Sequence, residues 1–192
     1  MTQLGLLQFG NFSIEVKIAL LLILLVIAAY FDITSRRIPN RLVLAGLIAS
    51  FILQINFYGF EGFKAWGLGL LVGFGAFLPI YMLRAMGAGD VKLMAMVGSY
   101  LGLNLALGAV ITTLVIGGIL AIATAMYSGV FIQTMKNVRT VLTVGMYKTL
   151  SGGGVQLDAP AASAGSMPYA VAIGLGTLVH QIILGTFRSM WF

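Results

Sequence analysis

The sequence predicts an all-α, polytopic integral membrane protein of about six transmembrane helices, with an interfacial helix between the fifth and the sixth. Three observations predict it. Hydrophobic residues make up 60% of the 192 residues and charged residues only 8%. A soluble domain carries about 25% charged residues, because its surface faces water. So few charges do not cover a water-facing surface, and lipid must cover most of this one. The apolar residues also fall in long runs, most of them near the roughly 20 residues that a bilayer crossing needs. Basic residues, finally, gather at the ends of those runs, where membrane helices normally carry them.

The runs follow one another in order. Helix 1 is expected at about residues 14–31, with Lys17 snorkelling to the interface. It reads as a retained anchor: no basic segment precedes it, and Asp32, Arg36 and Arg37 stand where a signal peptide would have small residues. Helix 2 is expected at about 41–57, with Asn40 as its N-cap. Helix 3 covers about 64–83 and is crowded with Gly67, Gly69, Gly73 and Gly75, small residues that let membrane helices approach closely. Helix 4 is short, from Asp90 to about Leu101. Helix 5 covers about 104–127 and helix 6 about 168–185. Between the last two, residues 131–150 mix apolar positions with Lys136, Arg139 and Lys148, which suits an interfacial helix. Residues 151–166 are rich in Gly, Ala and Ser and read as a flexible linker. No repeat interrupts this order, so residues 1–192 are expected to form a single membrane-embedded domain.

Composition narrows the chemistry. There is no cysteine, which excludes disulfides, thiolate metal sites and a cysteine nucleophile. The one histidine, His180, is too little for a histidine metal site and reads as a structural residue in mid-helix. The net charge of +6 is not a nucleic-acid signal, because the basic residues sit at helix ends. With the N-terminus outside, the inner ends and loops hold Arg36, Arg37, Arg41, Arg84, Lys92, Lys136, Arg139 and Lys148, and the outer ones only Lys17, Lys64 and Arg188. Both termini are therefore expected outside.

Two of the five acidic residues stand apart. Asp32 and Asp90 each lie at the inner end of a spanning run, at the same depth on the same side. Ionisable residues there are candidates for function, although each is also a plausible structural helix-end residue. Leu25, Ala28 and Ala29 share the helix face of Asp32 and leave room beside it. Gly87 and Gly89 precede Asp90, so a backbone can approach its carboxylate closely. Paired aspartates suit peptide hydrolysis, because two close carboxylates share one proton. The ionised member takes a proton from water and the protonated one donates to the amide, with no metal or cofactor. A helix beginning at Asp90 would favour its charged form, making Asp90 the base and Asp32 the acid.

The residues around both aspartates resemble a known family. Asp32-Ile33-Thr34-Ser35-Arg36-Arg37-Ile38-Pro39-Asn40 is similar to the first motif of type IV prepilin peptidases, and Gly87-Ala88-Gly89-Asp90-Val91-Lys92 to their Gly-x-Gly-Asp-x-Lys motif. Met167-Pro168-Tyr169-Ala170 resembles the segment that opens their last helix. The resemblance implies an aspartyl membrane protease of the bacterial inner membrane, with Asp32 and Asp90 catalytic. It would cut prepilins at the cytoplasmic face, between a short leader and the hydrophobic helix. Gly87, Gly89, Ile38, Pro39, Asn40, Pro168 and Tyr169 would shape the site or bind substrate. Lys92 would recognise an acidic residue of the substrate, or simply snorkel. Large members of the family carry a cysteine-containing segment between the first two helices and also methylate the product. Here that connection spans only 33–40, so the resemblance is to the short, Flp or tight-adherence branch, without methyltransferase activity.

Two other classes compete. Presenilin-like and signal-peptide-peptidase-like enzymes share Gly-x-Gly-Asp, but their first aspartate lies within a helix and they carry a Pro-Ala-Leu motif absent here. A small transporter or pilus-assembly scaffold would use its aspartates to bind protons or cations, and would leave a substrate's length unchanged.

Overall fold

Long apolar runs have to satisfy their backbone polar groups internally when lipid surrounds them, and helices do this. The described residues form five helices and no strand: α1 (Thr2–Ser35), α2 (Asn40–Met82), α3 (Ala88–Leu101), α4 (Leu103–Tyr127) and α5 (Tyr169–Trp191). The computed structural model describes the backbone of residues 2–83, 86–129 and 168–191, and the side chains of 16–83, 86–129 and 168–185. The expected interfacial helix and flexible linker, and Arg84 with them, lie outside these residues. Three stretches are long and apolar enough to cross a membrane: Val16–Ser35, Asn40–Met82 and Leu103–Tyr127. The chain divides into two compact units, one of Met1–Gly117 with Pro168–Phe192 and one of Gly118–Met167. The first carries everything described below.

At 43 residues, α2 is too long for one crossing. Drawn straight it would measure about 65 Å, twice a bilayer's hydrocarbon core. It does not run straight, because Gly59 leaves the helical region with φ 58° and ψ −133°. Only glycine takes that conformation at little cost. The chain folds back there, so tightly that a Cβ on Gly62 would overlap the Gln54 carbonyl. Across the turn Phe51 meets the edges of Phe63 and Trp66, and the Trp66 indole N–H donates to Ser50 Oγ at 3.0 Å. Expected helices 2 and 3 are thus the two limbs of one broken helix, with a single glycine as the break.

The central element is α3. Every residue from Asp90 to Tyr100 is buried except Lys92, as expected for a helix enclosed on all sides. The second limb of α2 reaches it through glycines. A Cβ on Gly69 would overlap the Gly98 carbonyl, one on Gly98 the Gly69 carbonyl, and one on Gly73 the Met94 carbonyl. Gly67 and Gly75, also expected to serve packing, meet nothing within 4 Å. On the other flank α1 packs mainly on α5, contributing Leu21, Leu25 and Ala28 to the core. These fall at intervals of four and three residues, and Asp32 continues the same stripe.

Away from the aspartates, a polar network ties α1, α2 and α3 together. Ser50 Oγ lies 2.8 Å from Ser99 Oγ, and the Gln54 amide N–H groups donate to the carbonyls of Ser99 (3.4 Å) and Tyr100 (3.1 Å). Lys17 does not merely snorkel: its ammonium donates to Gln54 Oε1 at 3.4 Å and sits over the Tyr58 ring. Gln54 therefore caps carbonyls at the α3 C-terminus that have no partner within the helix. Replacing Gln54 by Leu is expected to lower stability by about 1 kcal/mol, the usual scale of interhelical hydrogen bonds in membranes. Thermal unfolding of the detergent-solubilised protein measures it.

Several expected boundaries move. α1 begins at Thr2 and ends at Ser35, so Asp32 lies inside its last turn and not at its end. α3 begins at Ala88, with Gly87 as N-cap, two residues before the expected start. Pro39, not Asn40, is the N-cap of α2, and no side chain makes the cap bond. α5 starts at Tyr169, directly after Pro168, and continues beyond residue 185. Helical ends rest on hydrogen bonds made by one or two residues, which apolar periodicity does not locate.

Candidate functional site

Three helix ends meet around the two aspartates: the last turn of α1 and the first turns of α3 and α5. Asp32 and Asp90 are only 7% and 8% exposed. Burial of this kind requires polar partners, and each carboxylate has one. The Ala170 backbone N–H, in the first turn of α5, donates to Asp32 Oδ2 at 2.9 Å. The Gly87 N–H, at the start of α3, donates to Asp90 Oδ2 at 3.0 Å. Both donors belong to N-terminal amides that have no acceptor within their own helix. Each helix thereby holds one carboxylate at its positive end. In both aspartates the bond goes to Oδ2. The hydrogen bonding treats the two alike, so it lends no support to assigning the base to Asp90 and the acid to Asp32.

The Asp32 charge reaches Asp90, and the Asp90 charge reaches the Tyr169 hydroxyl. Tyr169 is held by packing: its ring meets Phe77 edge-on at 6.2 Å, and a Cβ on Gly117 would lie 2.7 Å from its hydroxyl oxygen. Tyr169→Ala should therefore loosen the start of α5 and cost activity about tenfold or more, with Tyr169→Phe close to wild type if packing is its main role. Initial rates of substrate cleavage separate these outcomes.

The turn between α1 and α2 closes the site from another side. A Cβ on Gly89 would contact Ile38 Cβ at 3.4 Å, so the missing side chain lets the turn lie against α3. Lys92 Nζ donates to Asn40 Oδ1 at 3.1 Å. Pro39 starts α2, and its carbonyl accepts from Leu42 N at 3.0 Å. Pro168 likewise starts α5, accepting from Val171 N at 3.3 Å. The structure thus brings Asp32, Asp90, Gly87 and Tyr169 together, and seats Ile38 and Asn40 on the first turn of α3. Pro39 and Pro168 contribute by starting helices.

Two features escape a reading of side chains. The Ala170 amide is a backbone donor, and nothing in the alanine side chain announces it. Phe77 is one of many apolar residues in its run. His180 is removed from the aspartates: its ring packs on Gly108, and its Nε2 has no hydrogen-bond partner among the described residues. It was expected to be structural, and its surroundings are those of a packed residue. Among the described residues no group of His, Cys, Asp or Glu is arranged to hold a metal ion.

The position of Asp32 inside α1 removes one contrast with presenilin-like enzymes. The Ile38-Pro39-Asn40 turn remains as a difference, and here it packs on the second aspartate's helix.

No curated protein and no solved structure matches the chain. A family model does: that of the type IV leader peptidase family matches residues 19–122, more than half of the chain. The match contains both aspartates and the turn between α1 and α2, and the chain belongs to the type IV leader peptidase family.

Proposed function

We propose that the protein is a prepilin leader peptidase that works with an aspartate dyad, Asp32 and Asp90. One observation carries this reading. Two carboxylates are buried in an apolar bundle, each has one oxygen held by a helix N-terminal amide, and they lie within electrostatic reach of each other.

Such a pair hydrolyses an amide without a covalent intermediate. The ionised carboxylate takes a proton from water as the water oxygen attacks the carbonyl carbon. The protonated one donates to the carbonyl oxygen. Collapse of the tetrahedral intermediate breaks the C–N bond, and the leaving nitrogen takes a proton from the pair. The bonds to Ala170 and Gly87 keep the carboxylates from rotating away, which is the positioning that catalysis requires. Gly87 is exposed beside Asp90 and carries no side chain, so the scissile peptide would approach there, whereas Gly89 is covered by Ile38.

The substrate in this reading is a type IV prepilin of the Flp kind, cut between its short leader and its hydrophobic helix. The short turn between α1 and α2 and the lack of cysteine support the branch without methyltransferase activity. The enzyme is a single peptidase domain of the bacterial inner membrane. It crosses six times, counting the limbs of α2 separately, with both termini outside and the dyad on the cytoplasmic side. The bias of basic residues supports that orientation.

Co-expression with a short Flp-type prepilin tests the proposal, with pilin mass followed by mass spectrometry. The expected result is a pilin shortened by its leader, with no methyl group added. A pilin that keeps its leader across a panel of Flp-type and longer prepilins overturns it.

A further inference from the structure

We infer that Lys92 is a positioning residue: its bond to Asn40, together with the Ile38–Gly89 contact, clamps the α1–α2 turn onto the first turn of α3 and so fixes Asp90 relative to Asp32. The role in processing rests on the peptidase reading above; the clamp itself does not.

Lys92 is the one exposed residue between Asp90 and Tyr100. Successive helical residues turn by about 100°, so its side chain leaves α3 about 200° around from that of Asp90. It is therefore directed away from the carboxylates. A snorkelling lysine needs only water or headgroups, but this one has a fixed protein acceptor, Asn40 Oδ1 at 3.1 Å. Asn40 is the first residue of α2, and its side chain makes no cap bond there. Its amide oxygen instead receives the Lys92 ammonium.

The second contact lies on the other side of Asp90 in sequence. Gly89 faces Ile38, with room for a Cβ at 3.4 Å from Ile38 Cβ and little more. One residue before Asp90 and two residues after it, α3 thus touches the same three-residue turn. That turn follows the helix that carries Asp32. α1 and α3 touch each other little directly, so this turn is a short link between the two carboxylates, beside the one that α5 provides.

Two measurements test the clamp. The first is kinetic. Lys92→Met and Asn40→Leu should each lower kcat about tenfold with little change in KM, because misplacement costs the reaction step. The double variant should be no slower than either single one, since both remove the same bond. Asn40→Asp keeps an oxygen acceptor and should lose least. A rise in KM with kcat preserved for Lys92→Met, or additive losses in the double variant, would overturn the inference and mark Lys92 as a substrate contact.

The second measurement needs no substrate. The chain has no cysteine, so Ile38→Cys with Gly89→Cys introduces a single pair at a separation suited to a disulfide. Oxidation in membranes should crosslink it readily, and adding Lys92→Met should slow crosslinking about tenfold if the turn is released. Unchanged crosslinking overturns the clamp. A protein that crosslinks as expected yet cuts no prepilin keeps the clamp and loses only the peptidase reading.

Discussion

Asp32→Asn and Asp90→Asn are each expected to reduce prepilin processing by at least about a thousandfold, the scale on which a proton-transferring group contributes. The substitution is chosen for what it leaves in place. An asparagine side chain has the shape of aspartate and keeps an oxygen that accepts from Ala170 N–H or Gly87 N–H. The helix ends stay capped, and the protein should reach the membrane in normal amount. What is lost is the exchange of a proton at the reacting bond. In a dyad the two carboxylates act as a unit, so on the proposed reading the double variant should be no worse than either single one. Immunoblots of the membrane fraction and pilin mass spectra, taken together, decide the matter. Either variant processing within tenfold of wild type, at equal abundance, would remove that aspartate from the dyad.

Gly98→Ala is expected to be among the most damaging single methyl groups that can be added in this bundle. The new Cβ would overlap the Gly69 carbonyl, and neither backbone has a side chain to move aside. Overpacking of this kind costs about 1–3 kcal/mol, and more where backbone must shift. Gly69→Ala strikes the Gly98 carbonyl from the other side and should behave alike. The internal controls are Gly67→Ala and Gly75→Ala on the same limb, where nothing lies within 4 Å. There alanine should be neutral or stabilise by up to about 1 kcal/mol through its helix propensity. Apparent melting temperatures in detergent order the four. If Gly98→Ala and Gly75→Ala melted together, the close approach of α2 and α3 would be wrong.

That contrast also marks how far the sequence could be read. Four glycines on one limb look alike in sequence, yet only Gly69 and Gly73 meet a backbone. The difference is rotation about the helix axis, and a run that is apolar all round carries no periodic signal to set it. On α1 the stripe of Leu25, Ala28 and Asp32 was legible, because one charged residue among apolar ones identifies its face. The aspartates were found for the same reason: carboxylates are rare in lipid and stand out. Gln54 offered the same signal more weakly, as an amide in an apolar run four residues after Ser50. Its role at the α3 C-terminus depends on a helix distant in sequence. Asn40 resembled an N-cap because it precedes an apolar run, but Pro39 begins that helix and frees the asparagine for Lys92. The Ala170 amide left no trace, since every residue except proline has a backbone N–H.

The enclosure of α3 has a consequence for how the protein is made. This helix is only 14 residues long, about 21 Å against a hydrocarbon core of about 30 Å. It carries an aspartate and a lysine in its first two turns and is not among the stretches apolar enough to cross a membrane unaided. The broken helix before it is apolar enough to cross, with its charged residues at its start (Arg41) and near the turn (Glu61, Lys64), and leaves the ribosome first. The earlier hairpin is then a template, and α3 enters the bilayer against protein instead of against lipid. A chain truncated after residue 102 and released from the ribosome should integrate α3 only when the Gly69 and Gly73 surface is intact. The placement of Asp90 is thus inherited from the order of synthesis, because the helix that carries it has no stable place in the membrane until its cradle is already there.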